Sequence, residues 1–169
     1  MPNLSRSLPE PYAALLSKLL ERALEVLGEK LVSFVVYGSV ARGEAERDSD
    51  VDLLLVVDGL PRSRLRRQEL FMEVEEGVQA EVEKLRAEGY NVDFSPIIKT
   101  PGEAAVFSPV YLDMVEDAVI LHDKDGFFRG VLDRLRGRLR DLGAERVRLG
   151  KRWYWRLKRD YKFGEVIEV

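Results

Sequence analysis

Asp50 and Asp52 stand two residues apart at the head of an apolar run, Val51-Asp52-Leu53-Leu54-Leu55-Val56, and Gly38-Ser39 closes an earlier one, Leu31 to Tyr37. Alternate residues of a strand point the same way with Cα atoms about 6.6 Å apart, so carboxylates at this spacing converge on one site while Val51 turns into the core. Two such groups repel each other and resist desolvation, and a divalent cation reverses the sign of that interaction. Hard oxygen ligands suit Mg²⁺, whose other positions are taken by water and substrate phosphates. The chemistry this implies is metal-assisted work on a nucleotide or similar phosphate.

Gly38 lets the backbone approach a ligand closely, and Ser39 offers a hydroxyl and an amide at the start of a short helix. Arg42 lies one turn later, where a guanidinium could clamp a phosphate oxygen in a bidentate way. Its bland reading is a surface pair with Glu44 or Glu46. Asp-x-Asp before an apolar strand is also common as a turn or cap, so the whole constellation carries the signal.

That constellation is Gly38-Ser39-Val40-Ala41-Arg42-Gly43 followed by Ser49-Asp50-Val51-Asp52-Leu53, with ten residues between Ser39 and Asp50. It resembles the signature of the minimal nucleotidyltransferases of the DNA polymerase β superfamily. The resemblance implies an α/β (α+β) chain with the polymerase β-like nucleotidyltransferase fold, a small mixed sheet flanked by helices. It also implies a third carboxylate on a neighbouring strand. Asp93, in Asn91-Val92-Asp93-Phe94, supplies it, because adjacent strands lie only about 4.8 Å apart. On this resemblance Asp50, Asp52 and Asp93 are the catalytic residues and the ligands of Mg²⁺, two ions in number, with Mn²⁺ as the alternative. Asp93 also helps to activate the attacking hydroxyl, and Gly38, Ser39 and Arg42 hold the triphosphate. The implied reaction transfers a nucleoside monophosphate, AMP by family analogy, from an NTP such as ATP to a hydroxyl acceptor with release of pyrophosphate. Many small members resemble antitoxins that bind a helical (HEPN-type) ribonuclease toxin and add AMP to it. An antitoxin or interaction module and an RNA-modifying transferase are therefore the alternatives. The resemblance covers about residues 31–98.

Positioning these groups requires an alternation of helix and strand. Apolar residues from Tyr12 to Leu27 recur at helical spacing and stop at Gly28. Strands follow over residues 31–37 and from Asp50 onward. Pro61 is expected to open one long helix to about Glu88, with Leu70, Val74, Val78, Val82 and Leu85 as its buried stripe and Gly89 as its stop. After the Asp93 strand comes a helical stretch between Pro101 and Glu116, with Ser108-Pro109 capping a second helix. A short strand at Val119–Leu121 and an amphipathic helix from Phe127 to Leu142 complete the pattern.

The chain has 169 residues, 46% hydrophobic and 34% charged, which fits one globular domain. No apolar run approaches the roughly 20 residues that span a bilayer, and no leader-like pattern opens the chain, so a cytoplasmic location without membrane partners is expected. There is no cysteine, which excludes disulfides and thiolate zinc sites. The single histidine, His122, precedes the turn signal Asp123-Lys124-Asp125-Gly126 and reads as a surface strand cap. Abundant Glu and Arg beside four Asn and Gln resembles heat-adapted proteins.

Charge is unevenly placed. Residues 129–162 hold 13 Lys/Arg against 4 Asp/Glu, a net of +9 in a chain whose total is −3. We therefore divide the chain into a nucleotidyltransferase domain, residues 1–128, and a basic extension, 129–169, packed on it. Trp153, Trp155 and Leu157 would share one face of a strand, whereas Trp153, Leu157 and Tyr161 would form a stripe on a helix. Core or subunit packing is the preferred role of both tryptophans, with nucleic-acid stacking as the alternative. Residues 165–169 alternate and suggest an extended tail added to a sheet edge, in this or another subunit.

Overall fold

The computed structural model describes residues 7–169. In chain order its elements are α1 (Tyr12–Leu27), β1 (Leu31–Tyr37), α2 (Gly38–Arg42), β2 (Val51–Val57), α3 (Arg64–Glu76), α4 (Gln79–Ala87), β3 (Phe94–Lys99), α5 (Pro101–Ala104), β4 (Val119–Asp123), α6 (Phe127–Leu142), β5 (Glu145–Leu149) and β6 (Arg152–Arg156). Single 3₁₀ turns lie at Gly28–Lys30, Pro109–Asp113 and Lys124–Gly126.

The near-continuous apolar content of β1 and β2 is what strands covered on both faces require. They occupy the centre of a four-stranded sheet of order β3-β2-β1-β4. β1 is antiparallel to β2 and β4, while β2 and β3 are parallel and so need the crossover that α3 and α4 provide. This is the small mixed sheet flanked by helices that the motifs imply. On one face, Leu15, Leu16, Leu19 and Ala23 of α1 pack with Leu53, Leu55, Phe71, Val74 and Val82. On the other, Val35, Leu54 and Val56 meet Tyr111, Met114, Phe128, Leu132 and Leu135. Each fully buried leucine contributes about 1.5–3 kcal/mol.

α6 is anchored to the sheet by Asp123. Its carboxylate accepts the Ser33 hydroxyl at 2.7 Å and the backbone N–H groups of Phe128 and Arg129 at 2.9 and 3.0 Å, which caps the helix from outside it. His122 lies within β4, opposite Phe34, with Nε2 3.3 Å from the Leu31 carbonyl.

Three expectations are corrected. The long helix starts at Arg64, behind a Ser63 cap, and is broken in two. Val78 leaves helical geometry (φ −121°, ψ 12°), and Gly77 lets the chain press on α1, since a Cβ there would lie 2.5 Å from Arg22 Cδ. The helix expected behind Ser108-Pro109 is only a 3₁₀ turn, and Ser108 makes no side-chain cap. The tail joins no strand among the described residues: Arg138 Nε donates to the Glu168 carbonyl at 3.1 Å, and Val169 packs on the second core cluster.

The basic aromatic segment adopts the strand alternative. β5 and β6 form a separate antiparallel hairpin, with Trp155 and Leu157 against the second core cluster. Trp155 Nε1 donates to the Leu112 carbonyl at 2.8 Å, fixing the hairpin to the turn that carries Asp113.

Candidate active site

Tyr37, the last residue of β1, pairs with Asp52 in β2, so the chain leaves one central strand beside the carboxylate carried by the other. Gly38 makes the next step at φ +74°, and a Cβ built there would lie 2.2 Å from Asp52 Oδ2. Only glycine permits that approach without displacing the carboxylate. The five-residue α2 follows and ends at Gly43, whose φ of +72° turns the chain into the loop before β2.

That loop is tied down residue by residue. The Ser49 hydroxyl accepts the Glu46 N–H at 2.8 Å, and Tyr12 donates its hydroxyl to the Glu46 carbonyl at 3.3 Å. Arg47 donates to the Glu88 carbonyl at 2.8 Å, accepts Asn91 N–H on its own carbonyl at 2.7 Å, and lies 4.7 Å over the Tyr90 ring. The ten-residue spacing between Ser39 and Asp50 is thus a fixed strut that delivers Asp50 to the head of β2.

Gly38, Ser39, Arg42 and Asp52 line one cleft of about 360 Å³ together with Tyr37, Asp113, Lys151, Arg152 and Trp153. Burial pushes the Asp52 carboxyl above its ordinary range, and the neighbouring charge of Asp50 pushes it further, against a lowering pull from Arg42. Asp113 adds to the rise. The Tyr37 hydroxyl is pushed up to about 12 by burial, then by Asp52 and Asp113. The cleft floor is therefore an accumulation of negative charge, the condition that a bound cation relieves. Arg42 is partly committed already, with Nε bonded to Glu44 at 3.1 Å, the surface pair that its position allows.

Asp93 immediately precedes β3. Its carbonyl accepts the Val51 N–H at 2.8 Å, and the next residue, Phe94, is the register partner of Val51. The backbone of Asp93 therefore lies beside that of Asp50. Its charge also acts on Glu75 of α3, whose carboxyl is raised first by burial and then by Asp93. Among the described residues no three acids or histidines are gathered into a ligand set. The pair Asp50 and Asp52 supplies the hard oxygens that Mg²⁺ favours, and Gly38 keeps the space beside Asp52 free of side chain.

Sequence reasoning missed Asp113 and the cleft-lining role of Lys151, Arg152 and Trp153. Asp113 carries no local signal: it ends a 3₁₀ turn that reaches the cleft only through tertiary packing of Tyr111 and Leu112. The hairpin did carry a signal in its interleaved basic and aromatic residues, which marks contact with phosphates or rings without saying whose.

The nucleotidyltransferase domain family matches the chain over residues 16–122. A protein of Methanocaldococcus jannaschii, named provisionally as a protein adenylyltransferase, is 28% identical over 124 residues, 72% of this chain and 79% of that one. Among solved structures, a toxin-antitoxin crystal structure with AMP-PNP aligns at a TM-score of 0.43 and 17% identity, over 74% of this chain and 90% of that chain. The toxin-antitoxin MntA-HepT aligns at 0.38 and 15%, over 77% and 92%. Overlaps this loose carry no argument about the present chain. Among the described residues, no helix is long and apolar enough to cross a membrane.

Proposed function

Since this chain belongs to the nucleotidyltransferase domain family and is a transferase, we propose that it moves AMP from ATP to a hydroxyl group of a protein, releasing pyrophosphate. The protein acceptor is proposed from the name of the Methanocaldococcus relative. The observation that carries the site assignment is the contact between Gly38 and Asp52, which joins a glycine turn to a carboxylate at a distance that no side chain could share.

In this reading Asp50 and Asp52 would hold Mg²⁺, with Asp93 on the neighbouring backbone beside them. When bound, the metal supplies positive charge to oxygens that grow negative during transfer. Gly38 and Ser39 receive the triphosphate at the open edge of the turn, and Arg42 binds a phosphate oxygen. The acceptor oxygen forms a bond to the α-phosphorus while the bond to the β-phosphate oxygen breaks. Pyrophosphate leaves with that electron pair, and the acceptor proton passes to the Asp93 carboxylate. Most of the acceleration comes from positioning these groups in a site where charge is matched in advance.

The test is incubation with Mg²⁺, labelled ATP and cellular protein, comparing the wild type with Asp52→Asn. The variant is expected to lose transfer while its melting temperature stays within a few degrees, because asparagine keeps the volume of a half-buried aspartate. Normal turnover by that variant refutes the assignment.

A further inference from the structure

We propose that the β5–β6 hairpin provides a second polyphosphate grip, in which the Arg152 guanidinium, assisted by Lys151, binds the triphosphate tail of the nucleotide and the pyrophosphate product. This rests on the nucleotidyltransferase reading and extends it to a segment beyond the residues that the family matches, 16–122.

Placement comes first. Lys151 and Arg152 line the same cleft as Gly38, Ser39 and Asp52, from an element far from them in sequence. The hairpin is fixed there by several ties. Arg146 pairs with the buried Asp117, Arg148 bonds Glu44 at 3.2 Å, and Lys151 bonds Glu46 at 3.1 Å. The guanidiniums of Arg146 and Arg148 lie 4.2 and 5.1 Å from the centre of the Trp153 ring. A cation held on a strand rim in this way loses less freedom on binding a ligand than one on a mobile loop.

Availability then singles out Arg152. Arg42 and Arg148 share the Glu44 carboxylate, and Arg156 and Arg159 share Glu145. The Arg152 guanidinium is exposed and has no ion-pair or hydrogen-bond partner among the described residues. A triphosphate needs several positive charges, and Glu44 already offsets that of Arg42. Arg152 brings an uncommitted fork of donors whose geometry matches phosphate oxygens. Lys151, with its side chain 91% exposed, readily exchanges Glu46 for a phosphate oxygen, since exposed ion pairs are weak.

Calorimetric titration with ATP plus Mg²⁺, and separately with inorganic tripolyphosphate, tests this on the wild type, Arg152→Ala and Arg156→Ala. Arg152→Ala is expected to weaken both ligands about tenfold or more, the worth of a charge-assisted hydrogen bond, without moving the melting temperature. Arg156→Ala, which alters the same hairpin outside the cleft, is expected to bind like the wild type. Unchanged affinity of Arg152→Ala for tripolyphosphate overturns the grip, whether or not ATP binding falls. A wild type that binds neither ligand overturns the nucleotide reading and the grip together, whereas wild-type binding with an unaffected Arg152→Ala removes the grip alone.

Discussion

On the sheet side of the cleft, Gly38 and Asp52 are fixed by the β1–β2 ladder and by apolar residues on both faces of the sheet. On the hairpin side, Lys151, Arg152 and Trp153 sit on a two-stranded ribbon whose far end is anchored by Trp155 on the second core cluster, while Arg148 and Lys151 tie its near end to Glu44 and Glu46 by ion pairs that solvent reaches. The ladder and core fix the backbone through hydrogen bonds and close packing that added salt does not screen. Exposed ion pairs are individually weak and are screened within about 8 Å at physiological ionic strength. The difference separates two tasks: the groups that must not move are built into the sheet, and those that need only supply charge to a variable part of the substrate are carried on the ribbon. The buried pair of Arg146 and Asp117 acts with the packing of Trp155, and together they make that ribbon part of the protein instead of a loose arm.

The sharpest way to break the sheet side is Gly38→Ala. The added methyl meets Asp52 Oδ2 and must adopt a positive φ, so a loss of about 3 kcal/mol in stability is expected together with loss of transfer. Denaturant unfolding and the labelled assay read the two effects, and an active Gly38→Ala would show that the turn does not crowd the carboxylate. On the hairpin side, Arg146→Met removes the guanidinium that pairs with the buried Asp117 carboxylate, with an expected cost of about 3 kcal/mol. Hydrogen exchange should then quicken in β5 and β6 while β1 and β2 stay protected. Equal quickening in all four strands would mean that the two sides unfold as one unit and that the contrast is only apparent.

The smallest effect is a matter of sign. Burial and Asp50 raise the folded-state pKa of Asp52 above the ordinary 3.8, so the folded protein binds a proton that the unfolded chain has released. Stability attributable to Asp52 is therefore lost as pH rises from about 3.8 through the raised value. Without metal, Asp52→Asn is expected to melt slightly above the wild type at pH 7, with the gap closing as pH falls toward 3.8. A lower melting temperature at pH 7 would mean that the pull of Arg42 outweighs burial and Asp50.

The central strands, the glycine turn and the first helix were legible because each rests on a local signal: unbroken apolar runs, a Gly-Ser pair and a helical stripe ending in glycine. The break between α3 and α4 was hidden because Val74, Val78 and Val82 keep a four-residue spacing across it. At the break Gly77 packs on α1, where Arg22 fills the space that a side chain at position 77 would need. Trp153 and Trp155 fit a strand or a helix equally well in sequence, and it is their pairing with Arg148 and Arg146 that decides. Within its own chain the tail differs from expectation for a similar reason: alternation in residues 165–169 suits a sheet edge, yet a hydrogen bond from Arg138 of α6 holds it. Asp113 shows the general limit, since a residue that reaches the cleft only through the packing of its 3₁₀ turn leaves no pattern in its own segment.

The most direct test of the central claim is to compare ATP labelled on the α-phosphate with ATP labelled on the γ-phosphate, in the presence of Mg²⁺ and an acceptor protein pool. AMP transfer requires that the α label becomes bound to protein, that the γ label appears only in pyrophosphate, and that Asp52→Asn abolishes both. Label transferred from the γ position, or α-label transfer that survives in Asp52→Asn, would contradict it.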